Sequence, residues 1–513
     1  MSIKSITMTH YNSIMGLMKG HYDTFKALHQ SNLENDEEIN RVYGLIETNL
    51  IKTKMFQFSE VINLFSTLFV YKNKNNRSNF KIFKRVYDNY PPAQDEQLSP
   101  PFCYYLAKLY KIHVNSVNHF VDKALESKNP PLGVFPNKTV MKAIMNDDIK
   151  SLSAYASNEK FNSNETIINE FMIPPCEYNY LELCCYYGSA ECFMFLRSKF
   201  NTKITENCLL FSFLGGNLKI VNECLLYQKP NQKCMEYAIF SFNKDLILLL
   251  VNKYKIQIEP EQCSQCDNIE AFALLMEQTI DYDKIFAIAP KFQLLEIMKY
   301  LYPLVKNINV VDKDGWTAVI LASYLNNIEI LQFLISNGAK VNLADNLGKT
   351  PLMIAVNLNH FQIAKLLVKN SADINAKDKQ DMSVLHYAVK GNNLEIFKLL
   401  ISHDAIIHVT DRDGISPFDS ALHMCNIEII KYLKSKGLEK CGKFQRALND
   451  KNINLILRSA VISNQLDAVI NLLNAGINPN IPDPYGYTPV HYAIGLGFSD
   501  MFKILEMAGG KIN

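Results

Sequence analysis

Two hydroxyl and imidazole pairs, Ser383 with His386 and Thr488 with His491, hold the residue types of a nucleophile and its general base three positions apart. At the same spacing an imidazole can lock the turn that carries the hydroxyl, and that local role is the preferred reading. Cys263 and Cys266 form one CxxC. A structural zinc normally takes four ligands, and neither a second CxxC nor paired histidines follow, so the two thiols read as incidental. Gly495 and Gly497 open a GxG without its third glycine, inside a helical segment, which argues against a dinucleotide site. The chain has no phosphate-cradling loop ending in Gly-Lys-Ser/Thr, no HExxH and no GxSxG. An enzyme with an unrecognised amino-terminal site would have to draw on His10, His21, His29, His113 and His119, whose spacing pairs none of them. No catalytic residue, cofactor or metal is therefore expected, and no small-molecule substrate.

Elements that position side chains for another purpose must explain the chain. Its 513 residues, 48% of them apolar, can bury several cores or one long continuous one. Lysine and arginine total 53 against 51 acidic residues, a formal charge of +2, with no polybasic tail to attract nucleic acid. Met1 to Met18 lacks the apolar centre of a secretion signal. The richest apolar run, Ile239 to Val251, is broken by Ser241, Asn243, Lys244 and Asp245, so no membrane span is expected. A cytoplasmic or nuclear protein follows, with reduced thiols. Nine of the 12 cysteines fall between Cys176 and Cys266, and Cys184, Cys185, Cys192, Cys208, Cys224 and Cys234 sit in apolar-periodic segments, as small buried hydrophobes do.

One phrase returns at a fixed interval: an aspartate, a turn, then a helix. Asp312-Lys-Asp-Gly-Trp-Thr317 leading to Ala322 is followed 33 residues later by Asp345-Asn-Leu-Gly-Lys-Thr350 leading to Ala355. Further steps give Asp378 to Ala388 and Asp411 to Ala421; after six extra residues come Ala460 and then Asp483 to Ala493. Gly315, Gly348, Gly414 and Gly486 permit the turn's positive φ. Thr317, Thr350, Ser416 and Thr488 stand where a hydroxyl can cap the first helix. Phe333-Leu334, Leu366-Leu367, Leu399-Leu400, Tyr432-Leu433 and Leu472-Leu473 give the second helices an apolar seam that only a neighbouring unit can cover. Gly338, Gly437, Gly476 and Gly509 then end those helices.

These residues resemble the ankyrin repeat, a β-turn finger followed by two antiparallel helices. Upstream the period shortens to about 28 while the grammar persists, in Tyr180 to Gly188, Gly215 to Val221 and Cys234 to Ala238. That segment resembles a family of uncharacterised function found beside ankyrin repeats in large protist protein sets. The resemblance implies an all-α fold: an ankyrin-repeat α-solenoid with short β-turn fingers, preceded by a helical amino-terminal region. The expected divisions are residues 1–130 as a cap or docking region, 137–300 as degenerate ankyrin-like hairpins without fingers, and 301–513 as regular repeats. Pro91-Pro92, Pro100-Pro101 and Pro130-Pro131 break the first region.

An ankyrin solenoid presents finger tips and the concave face of its first helices. On that pattern the free positions include Lys313, Asp314, Trp316, Tyr324 and Leu325, then Asn346, Leu347, Lys349, Asn357 and Leu358. Later units add Lys379, Gln380, Met382 and Lys390, then Arg412, Asp413, Ile415 and His423, then Pro484, Tyr485, Tyr487 and Leu496. Aromatic and arginine side chains carry much interface energy, so the expected contacts are Trp316, Tyr324, Lys349, Met382, Arg412, Tyr485 and Tyr487. Trp316 leads, being the only tryptophan; the competing reading packs it on its own neighbours. Charge of mixed sign along the tips favours a protein partner over nucleic acid. The function expected is a non-enzymatic interaction scaffold. The alternative is an adaptor whose amino-terminal helices dock on a larger complex, for example a ubiquitin ligase, while the repeats hold a client.

Overall fold

The computed structural model describes residues 8–511 except 31–34, 54–63, 66–67, 69–75, 91–138, 169–176, 436–456 and isolated positions that include Cys266, Pro484 and Tyr485. The chain forms two compact units, residues 1–282 and 283–513.

In the first unit, α1 (Thr9–Leu17) and α2 (Lys19–Gln30) precede α3 (Asp36–Ile46), whose end loosens into a π-helical stretch over Glu47–Ile51. Asn35 caps α3, accepting the Glu38 N–H at 2.7 Å, and Asp36, Glu37 and Glu38 place negative charge at its positive end. Ile39, Val42 and Ile46 make one buried face of α3, which packs on α4 (Asn76–Asn89), where Asn89 donates to the Tyr43 hydroxyl at 2.8 Å.

Helical hairpins follow. They pair α5 (Val140–Met145) with α6 (Ile149–Tyr155), α7 (Tyr180–Tyr187) with α8 (Ala190–Phe200), and α9 (Glu206–Gly215) with α10 (Leu218–Leu225). The pairs α11 (Gln232–Phe240) with α12 (Lys244–Tyr254) and α13 (Pro260–Gln265) with α14 (Ile269–Met276) complete the unit. Between α6 and α7 the chain does form a strand pair, β1 (Thr166–Ile168) antiparallel to β2 (Glu177–Asn179), where hairpins without fingers were expected. Two devices stack the hairpins. Asn217, Asn243 and Asn268 each cap a second helix through their side-chain oxygen, while the amide donates to the preceding hairpin's turn at Gly188, Gly216 and Ile239, at 3.1, 3.2 and 2.7 Å. Gly215 then allows main chains to touch, since a Cβ there would lie 2.1 Å from the Cys185 carbonyl oxygen. Cys184, Cys185, Cys192, Cys208, Cys224, Cys234 and Cys263 are buried free thiols, and burial pushes the Cys184 and Cys263 thiols well up.

The helix α1 lies on α14. Tyr11 donates its hydroxyl to Glu270 at 2.8 Å and its N–H to Glu277 at 2.8 Å, while the Tyr22 hydroxyl reaches Glu270 at 3.1 Å. His29 of α2 stacks on Phe242 at 4.1 Å between ring centres. These helices thus seat on residues 242–277. The rest of the region expected as a cap or docking segment, residues 91–130, lies outside the described residues.

The second unit opens at Asp283, within α15 (Tyr282–Ile288), and continues with α16 (Leu295–Leu301). Regular units follow, each a finger and two helices: α17 (Ala318–Tyr324) with α18 (Ile328–Ser336), α19 (Pro351–Asn357) with α20 (Phe361–Lys369), α21 (Val384–Lys390) with α22 (Leu394–Ile401), and α23 (Pro417–His423) with α24 (Ile427–Ser435). After residues 436–456, α25 (Leu466–Asn474) precedes a last finger, α26 (Pro489–Gly495) and α27 (Ser499–Met507).

Every finger has the same internal cause. Asp312 accepts the N–H groups of Asp314 and Trp316 at 2.9 and 2.8 Å, and Asp345, Asp378 and Asp411 repeat the arrangement. Gly315, Gly348, Gly414 and Gly486 all take positive φ; in the third finger Asp381 does so at 59° without a glycine. Thr317 and Thr350 cap their helices by accepting N–H groups at 3.2 and 3.3 Å. Ala322, Ala355, Ala388, Ala421 and Ala493 are fully buried where neighbouring first helices meet. In the second helices Leu334, Leu367, Leu400 and Leu433 are fully buried, each contributing roughly 2 kcal/mol by burial. Their partners Phe333, Leu366, Leu399 and Tyr432 are only half-buried, so one residue of each pair, rather than both, forms the seam.

Candidate functional site

The hydroxyl and imidazole pairs resolve into locks. His386 is buried, its Nδ1 accepting the Ser383 N–H at 3.0 Å with the Ser383 hydroxyl at 2.9 Å, and its Nε2 donating to the Ile415 carbonyl of the next finger at 3.0 Å. Both ring nitrogens are engaged, and burial lowers the pKa of the ring against the opposing pull of Ile415 and Asp411. An imidazole held neutral with its lone pair on a main-chain N–H has none left for a hydroxyl proton. Thr488 and His491 repeat the Nδ1 half of this arrangement, with Nδ1 at 3.1 Å from the Thr488 nitrogen and 2.8 Å from its hydroxyl. Among the described residues no group of three or more His, Cys, Asp or Glu side chains could hold a metal; Cys266 lies outside them.

Fingers and first helices of the second unit line a cleft of about 480 Å³. Its floor is the ends of α17 and α19 with Tyr387 of α21, and its wall is the first two fingers. Trp316 and Tyr324 meet edge to face there, ring centres 5.3 Å apart, the tryptophan half-buried and the tyrosine 47% exposed. Leu347 and Leu358 add exposed apolar surface. Lys349 lines the opposite side, its ammonium 6.0 Å from the centre of the Tyr387 ring. The Tyr387 hydroxyl donates to Asp378 at 2.6 Å, and burial together with that carboxylate pushes its pKa upward.

Three of the expected contact residues, Trp316, Tyr324 and Lys349, thus share one cleft. Met382 is half-buried on the third finger. Arg412 is exposed on the fourth, 3.6 Å from Asp381 of the third. Tyr487 is exposed far along the chain, on the last finger, edge-on to His491 at 5.9 Å, and Tyr485 lies outside the described residues. Sequence reasoning missed Tyr387. Its signal was an aspartate nine residues earlier, a pairing that returns as Tyr492 on Asp483 at 2.6 Å.

A stack of turn fingers and antiparallel helix pairs with this internal bonding defines an ankyrin-repeat solenoid. The family model for Ankyrin repeats (3 copies) matches residues 285–378 and 378–443. Residues 200–275 match Domain of unknown function (DUF3447). A curated relative, the Ankyrin repeat-containing protein P1E11.10 of Schizosaccharomyces pombe, is 46% identical over 54 residues, 10% of this chain and 26% of that protein. The match thus spans about a quarter of that relative. The chain thus carries ankyrin repeats over residues 285–443, with a segment of the uncharacterised domain upstream of them. The repeat geometry also continues beyond the matched residues, through the finger of Asp483 and helices α26 and α27. No helix among the described residues is long and apolar enough to cross a membrane.

Proposed function

We propose that this chain is a non-enzymatic scaffold that holds a protein partner against the fingers and first helices of its regular repeats, with the Trp316 cleft as the centre of contact. Ankyrin repeats are protein-interaction modules, and the repeat family is generally without catalytic activity. The observation that carries the reading is the cleft itself. It gathers a tryptophan, an exposed tyrosine and a lysine at positions the repeat fold leaves free, with an aromatic floor of the kind that anchors interfaces. The hydroxyl and imidazole pairs are consumed by the turns, which favours binding over chemistry. Neither nucleic acid nor a small-molecule substrate has a role in this reading, and the chain works in the cytoplasm or nucleus. In the described amino-terminal helices Ile14, Met18, Phe25 and Leu28 are buried and Leu17 is exposed, a balance that supports a structural role for them over that of an adaptor arm.

The test is co-purification from native extract with the intact chain and with a Trp316→Ala, Tyr324→Ala variant of unchanged circular dichroism. A protein retained by the first and lost by the second is the expected result. Identical retention by both would move recognition away from the cleft.

A further inference from the structure

Finger aspartates differ in what meets their second carboxylate oxygen. In the third finger Asp378 Oδ1 accepts the N–H groups of Gln380 and Met382 at 2.8 and 2.9 Å, and Oδ2 accepts the Tyr387 hydroxyl at 2.6 Å. In the last finger Asp483 Oδ2 takes the Tyr492 hydroxyl at 2.6 Å and the guanidinium of Arg458, two residues before Ala460, at 3.5 Å. The side chains of that ion pair are only 10% and 5% exposed. Asp345 has neither kind of partner. Its Oδ1 folds the second finger by accepting the N–H groups of Leu347 and Lys349 at 2.8 Å each, but nine residues later stands Ile354, and two residues before Ala322 stands Ile320. Among the described residues no donor meets Asp345 Oδ2. The residue is 8% exposed and lines the Trp316 cleft. A carboxylate oxygen so enclosed is costly to leave unmatched, and a donor arriving through the cleft removes that cost.

Resting on the proposed function, we infer that the protein partner of this cleft inserts one arginine side chain, its guanidinium donating to Asp345 Oδ2 in the cleft that Trp316 and Tyr324 line. Arg458 on Asp483 shows the same pair closed within the chain itself. A guanidinium suits the place better than an ammonium. Its planar face stacks on aromatic rings, it sheds water more easily, and its several N–H groups leave donors for the exposed Asp314 and for Asn346 and Asn357, which line the same cleft. The charge of the lining agrees in sign and sets a limit. Asp314 and Asp345 outnumber Lys349, whose ammonium lies 6.0 Å from the centre of the Tyr387 ring and, among the described residues, pairs with neither aspartate. That lysine opposes the guest, so the fitting occupant carries a single arginine and not a basic run. The two aspartates that attract it repel the phosphates of a nucleic acid strand. A volume of about 480 Å³ accommodates the side chain with its flanking residues.

The test uses the immobilised full chain and pools of 12-residue peptides with random flanks and one fixed central residue: arginine, lysine or citrulline, the neutral isostere of arginine. The arginine pool should be retained about tenfold better than the citrulline pool at low salt, the margin shrinking as salt rises. Asp345→Asn keeps the acceptor that folds the finger and puts an amide donor in place of Oδ2, so it should erase the margin. Ile354→Tyr copies the pairing of Tyr387 with Asp378 and should erase it with the charge left in place, while Lys349→Met should widen it. Each variant is compared at unchanged circular dichroism. Equal retention of the arginine and citrulline pools, or a margin that survives both Asp345→Asn and Ile354→Tyr, overturns the inference; where that retention is still lost in Trp316→Ala, the cleft reading stands without it. Equal retention of the lysine pool overturns the choice of a guanidinium. Retention of no pool overturns the arginine assignment, and co-purification with the Trp316→Ala, Tyr324→Ala variant then decides the cleft reading separately.

Discussion

Tyr11 and Glu270, 259 residues apart in the chain, are joined by a hydrogen bond of 2.8 Å. The carboxylate is buried and also receives Tyr22, so it holds two helices of the amino-terminal segment on one helix of the last upstream hairpin. Glu270→Leu removes the acceptor and leaves both hydroxyls at a half-buried junction without it. The expected cost is about 2–3 kcal/mol, read as faster hydrogen exchange in α1 and α2 with helices α7 to α10 unchanged. Uniform acceleration through the whole unit would contradict a local latch.

Main-chain contact between hairpins makes Gly215 intolerant of the smallest side chain. A Cβ there meets the Cys185 carbonyl oxygen at 2.1 Å and Gly188 nitrogen at 2.7 Å. Gly215→Ala should lower stability by about 2–4 kcal/mol, whereas Gly16→Ala, with nothing within 4 Å in the last turn of α1, should be neutral or mildly stabilising. Thermal unfolding of the two variants checks the contrast.

Fingers differ in how closely their neighbours approach. Gly348, at φ 80°, has the Lys379 nitrogen of the next finger 2.8 Å from a would-be Cβ, while Gly486, at φ 86°, has open space. Backbone strain is common to both, but steric conflict only to the first. Gly348→Ala should cost more than Gly486→Ala by about 1–2 kcal/mol; equal losses in denaturant titrations would contradict this packing of fingers.

His21 gives the first unit an acid-sensitive core. It is buried and stacked on Phe25 at 4.3 Å, and burial pulls its pKa from 6.5 down to about 3. The folded chain therefore binds fewer protons than the unfolded chain, so this contribution is complete above pH 6.5 and declines as pH falls toward about 3. His21→Phe keeps the ring and removes the titration. Chemical denaturation between pH 7 and pH 4 should show the variant losing less stability than the natural chain, by a slope approaching one proton.

The repeat was legible because each of its residues has a main-chain task confined to a few neighbours: Asp312 folds the finger, Gly315 turns it and Thr317 caps the helix. Asp381 shows that the task, rather than the glycine, is what recurs. Outward positions follow from the repeat pattern by elimination, and three of the seven so marked, Trp316, Tyr324 and Lys349, line one cleft; that they share it is not legible from the pattern. What escaped were bonds whose two ends lie in different units of the stack. Asn217, Asn243 and Asn268 read as ordinary caps, and their second bond to the preceding turn exists only once hairpins are stacked. Tyr387 reads as core because it is core, buried by the ring and tied down at its hydroxyl, yet one face floors the cleft. The seat of α1 on α14 had no periodic signal at all.

Trp316 is the only tryptophan in the chain and stands in the cleft, so its emission reports occupancy of that site alone. The central claim is tested by titrating the intact chain with a partner recovered by co-purification, chosen or trimmed to lack tryptophan. A saturable shift or quench of Trp316 emission is expected, with affinity reduced at least tenfold by Tyr324→Ala. Tight binding that leaves both the emission and the Tyr324→Ala affinity unchanged would place the interaction elsewhere and contradict the account.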